Sequence, residues 1–104
     1  TLAIDFGSIP IMAEAVDMYQ KGVTTGVNAA NHEQIDASIR FDRDLSLAEQ
    51  EILVDPQTSG GLLVALPASE GEAAIAALKA AGVSAACQVG VVEPRDADTA
   101  LAIR

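Results

Sequence analysis

The chain opens on a strand pattern and continues with a helix pattern. Apolar residues alternate with smaller or charged ones over residues 2–6, the period of a half-buried strand. Ser8 can cap the following helix, with Pro10 tolerated in its first turn, and Gly22 is a natural end for it. The apolar face of this helix consists of Met12, Ala15, Val16 and Tyr19, at spacings of i, i+3, i+4 and i+7.

The middle of the chain is less regular. Residues 23–33 are rich in Gly, Thr and Asn, which predicts a loop, and residues 35–41 carry a weak strand pattern. Ser46 and Glu49 form the spacing of a capping box, which predicts a short helix over residues 47–53.

An uninterrupted apolar run follows at residues 62–66, between Gly61 and Pro67. Such a run predicts a strand that is covered on both faces. Ser69 and Glu72 repeat the capping-box spacing, and the next helix is predicted from Glu70 to Ala81. The residues expected to be buried on that helix are Ala74, Ile75 and Leu78, and Gly82 ends it.

The last segment carries two strand patterns. Ala85, Cys87, Val89 and Val91 share one face of the first, and a polar turn at residues 94–98 follows. Leu101 and Ile103 mark a closing strand, expected to run antiparallel beside it. The order of elements predicts an α+β fold, with helices covering a mostly antiparallel sheet, in a single domain over residues 1–104.

Composition and charge narrow the function classes. Half of the 104 residues are hydrophobic and only 3% are aromatic, so a core can form but must be aliphatic. The chain has 15 acidic and 6 basic residues, a net charge of -9. Nucleic-acid binding and attachment to an anionic membrane both require clustered Lys and Arg, so we expect neither. No apolar run approaches the about 18–20 residues of a membrane span.

The cysteine content suggests a compartment. Cys87 is the only cysteine, so no internal disulfide can form, which is consistent with a cytoplasmic protein. Its place among apolar strand residues predicts an inert core thiol. The chain starts on a strand pattern without Met, so we expect it to be part of something longer.

The loop from Asp55 to Gly61 has the strongest local signal for chemistry. Pro56 favours a turn, and the hydroxyls of Thr58 and Ser59 precede two glycines. Such a loop can expose several backbone N–H groups to an anion such as phosphate. It can equally be a turn that only leads into the next strand, and the residues alone do not separate the two interpretations.

The string D-P-Q-T-S-G-G-L-L at residues 55–63 closely resembles a signature of the C-terminal domain of selenophosphate synthetase (selenide, water dikinase). The strand and Ile-Pro turn of residues 4–10 and the segments 22–31 and 90–104 also look like parts of that family. In residues 22–31, Gly26 and Asn31 match the family pattern, whereas Thr25, Val27 and Asn28 depart from it.

The resemblance implies a fold similar to the C-terminal domain of the aminoimidazole ribonucleotide synthetase-like superfamily. It also implies ATP-dependent synthesis of selenophosphate from selenide, with release of AMP and phosphate, using ATP and Mg²⁺ in the full-length enzyme. In that family the catalytic Cys or selenocysteine belongs to the N-terminal ATP-binding domain, so we expect this chain to be inactive alone. In the family this domain begins with a further segment that packs on the core. Without that segment apolar surface would be exposed and would tend to be covered by another chain, so we expect self-association of this chain as a homo-oligomer.

The resemblance also implies which residues line the nucleotide-phosphate cleft. Ser59, Gly60 and Gly61 would enclose phosphates through their N–H groups, and Gln57 and Thr58 would orient the loop. The remaining candidates are Asp55, Gly26 and Asn31, for which a turn cap, a left-handed turn and a local side-chain cap are alternatives.

Other interpretations remain open at this stage. We expect no metal site, because His32 has no second His or Cys near it in the sequence. A free-standing regulatory module for a small ligand is one alternative function. A purely structural half-domain, whose loop contacts no ligand, is another.

Overall fold

The computed structural model describes all 104 residues and contains both strands and helices. The strands are β1 (Leu2–Ile4), β2 (Ile39–Phe41), β3 (Gly90–Val92) and β4 (Leu101–Ile103). The helices are α1 (Ala13–Gln20), α2 (Asn28–Ile35), α3 (Leu47–Leu53) and α4 (Gly71–Ala80), with 3-10 turns at Phe6–Ser8 and Ala68–Glu70. The predicted α+β class is confirmed.

The four strands form one mixed sheet in the order β2-β4-β1-β3. β4 pairs in parallel with both β2 and β1, and only the β1–β3 pair is antiparallel. The prediction of a mostly antiparallel sheet is therefore wrong. The predicted pairing of β4 with β3 is also wrong, because β1 lies between them. Alternation identifies a strand and its faces, but it contains no information about which strand lies beside it.

The core lies where β1 and β4 meet at the centre of the sheet. Ala102 is fully buried, and Ala3, Ile4 and Ile103 are nearly so. β3 approaches β1 very closely, because a Cβ on Gly90 would overlap the carbonyl oxygen of Ala3. The aliphatic core expected from the low aromatic content is thus confirmed, although it is small.

The helix ends follow local signals in part. Ser46 and Glu49 form the predicted capping box of α3, and Gly22 ends α1 with a left-handed φ of 75°. Ser8 does not cap α1, because that helix begins only at Ala13, with Met12 as its N-cap residue. The Ser8 hydroxyl instead donates to Asp5 Oδ2 at 2.7 Å. The loop predicted over residues 23–33 is wrong in its second half, where α2 begins at Asn28.

Residues 56–88, here called the exposed arm, differ from the rest of the chain. The predicted strand over residues 62–66 is not formed, and Leu62 is 93% exposed. Residues 56–66 make no backbone hydrogen bond, so no neighbouring strand holds them extended. We call the remainder, residues 1–55 and 89–104, the sheet body. It contains every buried residue of the chain.

The helix of the exposed arm is confirmed, but its predicted contacts are not. Ser69 lies inside the 3-10 turn, so the N-cap of α4 is Glu70 and the Ser69–Glu72 capping box is absent. Leu78 is exposed, and Ala74 and Ile75 are only half-buried. The four α-helices lack the combination of length and apolar character that a membrane span requires.

The predicted strand over residues 85–91 is shorter than expected and begins at Gly90. Cys87 is exposed and unpaired, so the prediction of a core thiol is wrong. The physical reason is that the chain joins the sheet only at Gly90, after Cys87. The thiol contacts the Ser8 carbonyl oxygen at 3.6 Å and no apolar core.

The polar turns lie at the edge of the sheet and are joined by arginines. Arg40 donates to Asp42 and Asp96, and Arg104 donates to both carboxylate oxygens of Glu93 at 2.7 Å. The hydrogen bond from Arg40 lowers the pKa of Asp42. Three carboxylates, Asp42, Glu93 and Asp96, therefore form ion pairs with these two arginines.

Candidate functional site

The candidate loop begins where α3 ends. Val54, the C-cap residue of α3, is buried at 7% exposure and fixes the start of the loop. Pro56 has no N–H group and cannot continue a helix, so the chain turns away after Asp55. Asp55 itself is half-buried, and its carboxylate is held by side chains from two directions.

The first of these partners comes from α1. The hydroxyl of Tyr19 donates a hydrogen bond to Asp55 Oδ1 at 2.5 Å. Burial raises the pKa of Tyr19, and the hydrogen bond to Asp55 raises it further. The phenol therefore stays protonated at neutral pH and remains a donor to the carboxylate.

Tyr19 is held in turn by Asn28, the first residue of α2. The amide nitrogen of Asn28 donates to Tyr19 Oη at 3.2 Å and to the backbone oxygen of Glu51 at 3.1 Å. Its amide oxygen accepts from the N–H and hydroxyl groups of Thr25. Asn28 is only 2% exposed, and all four of its hydrogen-bonding positions are used. It fixes α1, α2 and α3 relative to one another.

Asn31, one turn further along α2, contacts the same part of α3. Its amide nitrogen donates to the backbone oxygen of Val54 at 2.8 Å. The alternative of a local side-chain cap is therefore wrong, because this bond joins two helices. It satisfies a carbonyl at the end of α3 that has no partner within the helix.

Asn31 and Asp55 line one shallow cleft of about 270 Å³ between α2, α3 and β4. The other lining residues are Gln34, Ile35, Leu53, Val54 and Leu101. This volume lies just below the about 300–1,000 Å³ range of sites that enclose a small molecule. The cleft alone is therefore too small to surround a nucleotide.

The rest of the loop extends away from the sheet body. Gln57 Nε2 donates to Asp55 Oδ2 at 3.3 Å, and the Gln57 side chain lies against Gly60. Thr58, Ser59, Gly60 and Gly61 are exposed. The N–H groups of residues 59–61 make no backbone hydrogen bond, so they can donate to an anion. Neither glycine of the loop has a left-handed φ.

The candidate residues thus fall into two groups. The first group lies at the end of α3, where Gln57 bonds to Asp55 and Asn31 bonds to the adjacent Val54; Thr58 to Gly61 follow directly. The second group is Gly26 alone. Gly26 lies in the turn before α2, with no atom within 4 Å of the position of a Cβ. Its φ is not positive, so the alternative of a left-handed turn at Gly26 is wrong.

The acidic residues do not form a metal site. No three His, Cys, Asp or Glu side chains lie together in a way that would hold a metal ion. The His32 Nε2 lies 3.3 Å from Glu51 Oε1, and the His32 side chain is half-buried. Thr24 also donates to Glu51, at 3.2 Å, so this glutamate is engaged by two side chains.

Two residues of this network, Tyr19 and Asn28, were not predicted from the sequence as site residues. Tyr19 belongs to the apolar face of α1, and a buried phenol needs a partner for its hydroxyl. That requirement was the signal in the sequence that could have identified Tyr19 as a site residue. Asn28 stood out only as a departure from the family pattern. Nothing local indicates that its amide would be buried between three helices.

The family described as AIR synthase related protein, C-terminal domain, matches residues 2–102. A selenide, water dikinase of Agathobacter rectalis is 38% identical over 96 residues, which are 92% of this chain and 28% of the relative. The enzyme of the same name from Myxococcus xanthus is 39% identical over 83 residues, 80% of this chain and 24% of the relative.

A third selenide, water dikinase, from Pelobacter propionicus, is 37% identical over 84 residues, 81% of this chain and 24% of the relative. The chain thus spans about a quarter of the length of these relatives. The family match covers nearly every residue, including β1, the first two residues of β4 and the loop after α3. The chain therefore belongs to the AIR synthase related family and corresponds to its C-terminal domain.

Proposed function

We propose that this chain is the C-terminal domain of an ATP-dependent selenide, water dikinase. The observation that carries the proposal is the similarity to three enzymes of that name over 80–92% of the chain. The complete enzyme would make selenophosphate from selenide and ATP, releasing AMP and phosphate. This chain would contribute one wall of the nucleotide site, and the catalytic Cys or selenocysteine would come from the N-terminal domain.

The loop Asp55–Gly61 would bind the phosphates of ATP. This role is supported by the N–H groups of Ser59, Gly60 and Gly61, which have no backbone hydrogen-bond partner. Glycine at two of these positions lets an anion approach the backbone without meeting a side chain. Asp55 and Gln57 would orient the loop, with Thr58 beside them, and Gly26 and Asn31 would form the neighbouring edge.

The charge of the chain argues that it works with a partner domain. A net charge of -9 repels a polyphosphate, and no basic side chain belongs to the loop. The cleft beside Asp55 is also too small to surround a nucleotide. Cations that neutralise the phosphates would therefore come from the N-terminal ATP-binding domain.

The side chains of this chain do not form a Mg²⁺ site by themselves, because no three acidic or His side chains converge. Mg²⁺ is commonly held by one or two carboxylates together with substrate phosphates and water. We assign no step of the reaction to it here. In this proposal Mg²⁺ enters with ATP at the completed cleft.

Calorimetric titration of ATP, in the presence of Mg²⁺, tests whether the nucleotide site requires both domains. We expect binding to the full-length enzyme and none to this chain alone. Binding to the isolated chain would instead favour the alternative of a free-standing regulatory module with its own ligand site. No binding to either protein would contradict the proposal.

Substitution within the loop tests its role directly. Gly60→Val in the full-length enzyme is expected to raise the KM for ATP, because the added side chain meets Gln57 and covers the backbone N–H groups. Gly71→Val, at a half-buried site outside the loop with no atom within 4 Å of the added Cβ, is the control. Normal turnover and a normal KM in Gly60→Val would exclude the loop from nucleotide binding.

We further propose that the N-terminal domain of the same enzyme covers the exposed arm. Leu62 is 93% exposed, and its neighbours Leu63 and Val64 are also largely exposed. Contiguous apolar surface of this kind is typical of an interaction site. The relatives contain about three times as much additional chain, which can supply the covering surface.

Hydrogen exchange tests the covered arm. The amides of residues 62–66 are expected to exchange rapidly in this chain and slowly in the full-length enzyme. Equal rates in both would contradict the proposal. In this chain alone, the uncovered surface is expected to cause self-association, giving a mass above 10.7 kDa by light scattering at micromolar concentration.

A pair of variants identifies the surface responsible. Leu62→Asp combined with Val64→Asp is expected to restore the monomeric mass. Leu47→Asp changes a leucine of the sheet body that is 80% exposed, and it is expected to leave self-association unchanged. A monomeric wild-type chain would contradict self-association.

A further inference from the structure

We infer that Tyr19 is a positioning residue for the nucleotide loop and acts through Asp55 and Gln57. This inference rests on the proposed function, because it assumes that the loop binds phosphate. It adds a residue of α1, outside the loop and outside the family pattern of residues 22–31. Tyr19 would fix the loop by a relay of two hydrogen bonds and one packing contact.

The relay begins at a fixed point in the sheet body. The Tyr19 hydroxyl is placed by Asn28, whose own amide is buried and fully hydrogen-bonded. α1 also packs against α3, the helix that leads into the loop. The hydroxyl is therefore held from behind before it reaches Asp55.

Asp55 transmits this position because its two carboxylate oxygens have different partners. Oδ1 accepts from Tyr19 at 2.5 Å, and Oδ2 accepts from Gln57 at 3.3 Å. The carboxylate thus joins the sheet body to the first exposed residue of the loop. Hydrogen bonds to a charged carboxylate are stronger than those between neutral groups.

Gln57 carries the position to the glycines. A Cβ built on Gly60 would lie 2.5 Å from Gln57 Oε1 and 3.1 Å from Gln57 Cβ. The Gln57 side chain therefore occupies the space beside Gly60 and restricts the path of the backbone there. At Gly61 no atom lies within 4 Å of the same position, so the contact is specific to the first glycine.

Loss of the Tyr19 hydroxyl should therefore loosen the loop without removing any group that contacts ATP. We expect Tyr19→Phe to raise the KM for ATP by about 5- to 10-fold, with a smaller change in kcat. This is less than the full effect of one charge-assisted hydrogen bond, because Tyr19 acts on the phosphate site only through the relay. Gln57→Ala should raise the KM similarly. The double variant should be little worse than either single variant, because both break the same relay.

The test is steady-state kinetics on the full-length enzyme, with Thr24→Val as control. The Thr24 hydroxyl is exposed and donates to Glu51 on α3 and not to the loop, so the KM of Thr24→Val for ATP should stay normal. Thermal unfolding of each variant accompanies the kinetics. Gln57 is exposed, so Gln57→Ala provides a test even if Tyr19→Phe is destabilised.

The outcomes distinguish the role of the loop from the role of Tyr19. If Gly60→Val leaves the KM for ATP unchanged, the proposed function of the loop fails, and this inference fails with it. If Gly60→Val raises the KM but neither Tyr19→Phe nor Gln57→Ala does, only the relay is overturned. Strictly additive effects of the two substitutions would also overturn it.

Discussion

The sheet body and the exposed arm are built from similarly apolar sequence but reach different states. In the sheet body, Ile103 is 1% exposed and lies between two paired strands. In the exposed arm, Leu62 is 93% exposed, and the backbone around it has no hydrogen-bonding partner. Both residues belong to short apolar runs for which the sequence predicts a strand.

The difference is one of partners. β4 has β1 on one side and β2 on the other, and so it is paired along both edges. Residues 62–66 have no strand beside them within this chain. A strand pattern therefore indicates that a segment can form a strand, but the strand forms only where a second strand is available to pair with it.

The largest difference in stability is expected when a large aliphatic side chain is removed from each region. Ile103→Ala is expected to lower the free energy of unfolding by about 3 kcal/mol, because it leaves a cavity at the centre of the sheet. Leu63→Ala, at a position 62% exposed, is expected to change it by less than about 0.5 kcal/mol. Urea denaturation measures both. Similar losses at both sites would mean that the arm packs on the body in solution.

A second pair of variants adds one methyl group to a glycine in each region. Gly90→Ala is expected to cost about 1–3 kcal/mol, because the new Cβ overlaps the Ala3 carbonyl oxygen and separates β3 from β1. Gly71→Ala places a methyl group in open space within α4 and is expected to be neutral or stabilising by up to about 1 kcal/mol. Thermal unfolding of the two variants checks the sign. A harmless Gly90→Ala would refute the close approach of β3.

The smallest of the three contrasts uses the two capping-box sequences. Ser46→Ala is expected to cost about 1 kcal/mol, because Ser46 caps α3. Ser69→Ala is expected to cost almost nothing, because Ser69 makes no capping bond to α4. Denaturant unfolding at neutral pH compares them, and equal costs would show that the second box also forms.

The same contrast depends on pH. Hydrogen bonds from the Ser46 hydroxyl and backbone N–H lower the pKa of Glu49 below its ordinary value of 4.5. The box therefore contributes stability that is fully present above pH 4.5 and is lost as the pH falls through the lowered pKa. Unfolding measured at a series of acidic pH values should show the cost of Ser46→Ala shrinking over that range. A constant cost would contradict the role of Glu49.

The sequence was sufficient wherever the cause of a structure is local. The capping box of α3 and the left-handed Gly22 depend on neighbours within a few residues, and both predictions were confirmed. The strand predicted over residues 2–6 forms at residues 2–4, and Phe6 begins a 3-10 turn. The loop after α3 could be singled out for the same reason, since its Pro and Gly residues determine a turn directly.

The remaining features depend on residues distant in the sequence. α2 has little amphipathic pattern, and it is fixed by the bonds of Asn28 and Asn31 to backbone oxygens of α3. The order of the strands is set by packing, so β1 separates β3 from β4 despite their closeness in the chain. Tyr19 became a site residue only because α1 and α3 bring it to Asp55.

The pairing of β1 with β4 has a consequence for synthesis. Leu2 pairs with Leu101, so the two central strands come from opposite ends of the 104 residues. Contacts of such long range form slowly, because closing the intervening chain costs entropy before any strand pair can form. On the ribosome, α1 and α3 can fold and pack early, whereas the sheet must wait for residues 101–103. In the proposed full-length enzyme the N-terminal domain is synthesised first, so it is already present to cover the apolar run of residues 62–66 while the sheet is still incomplete.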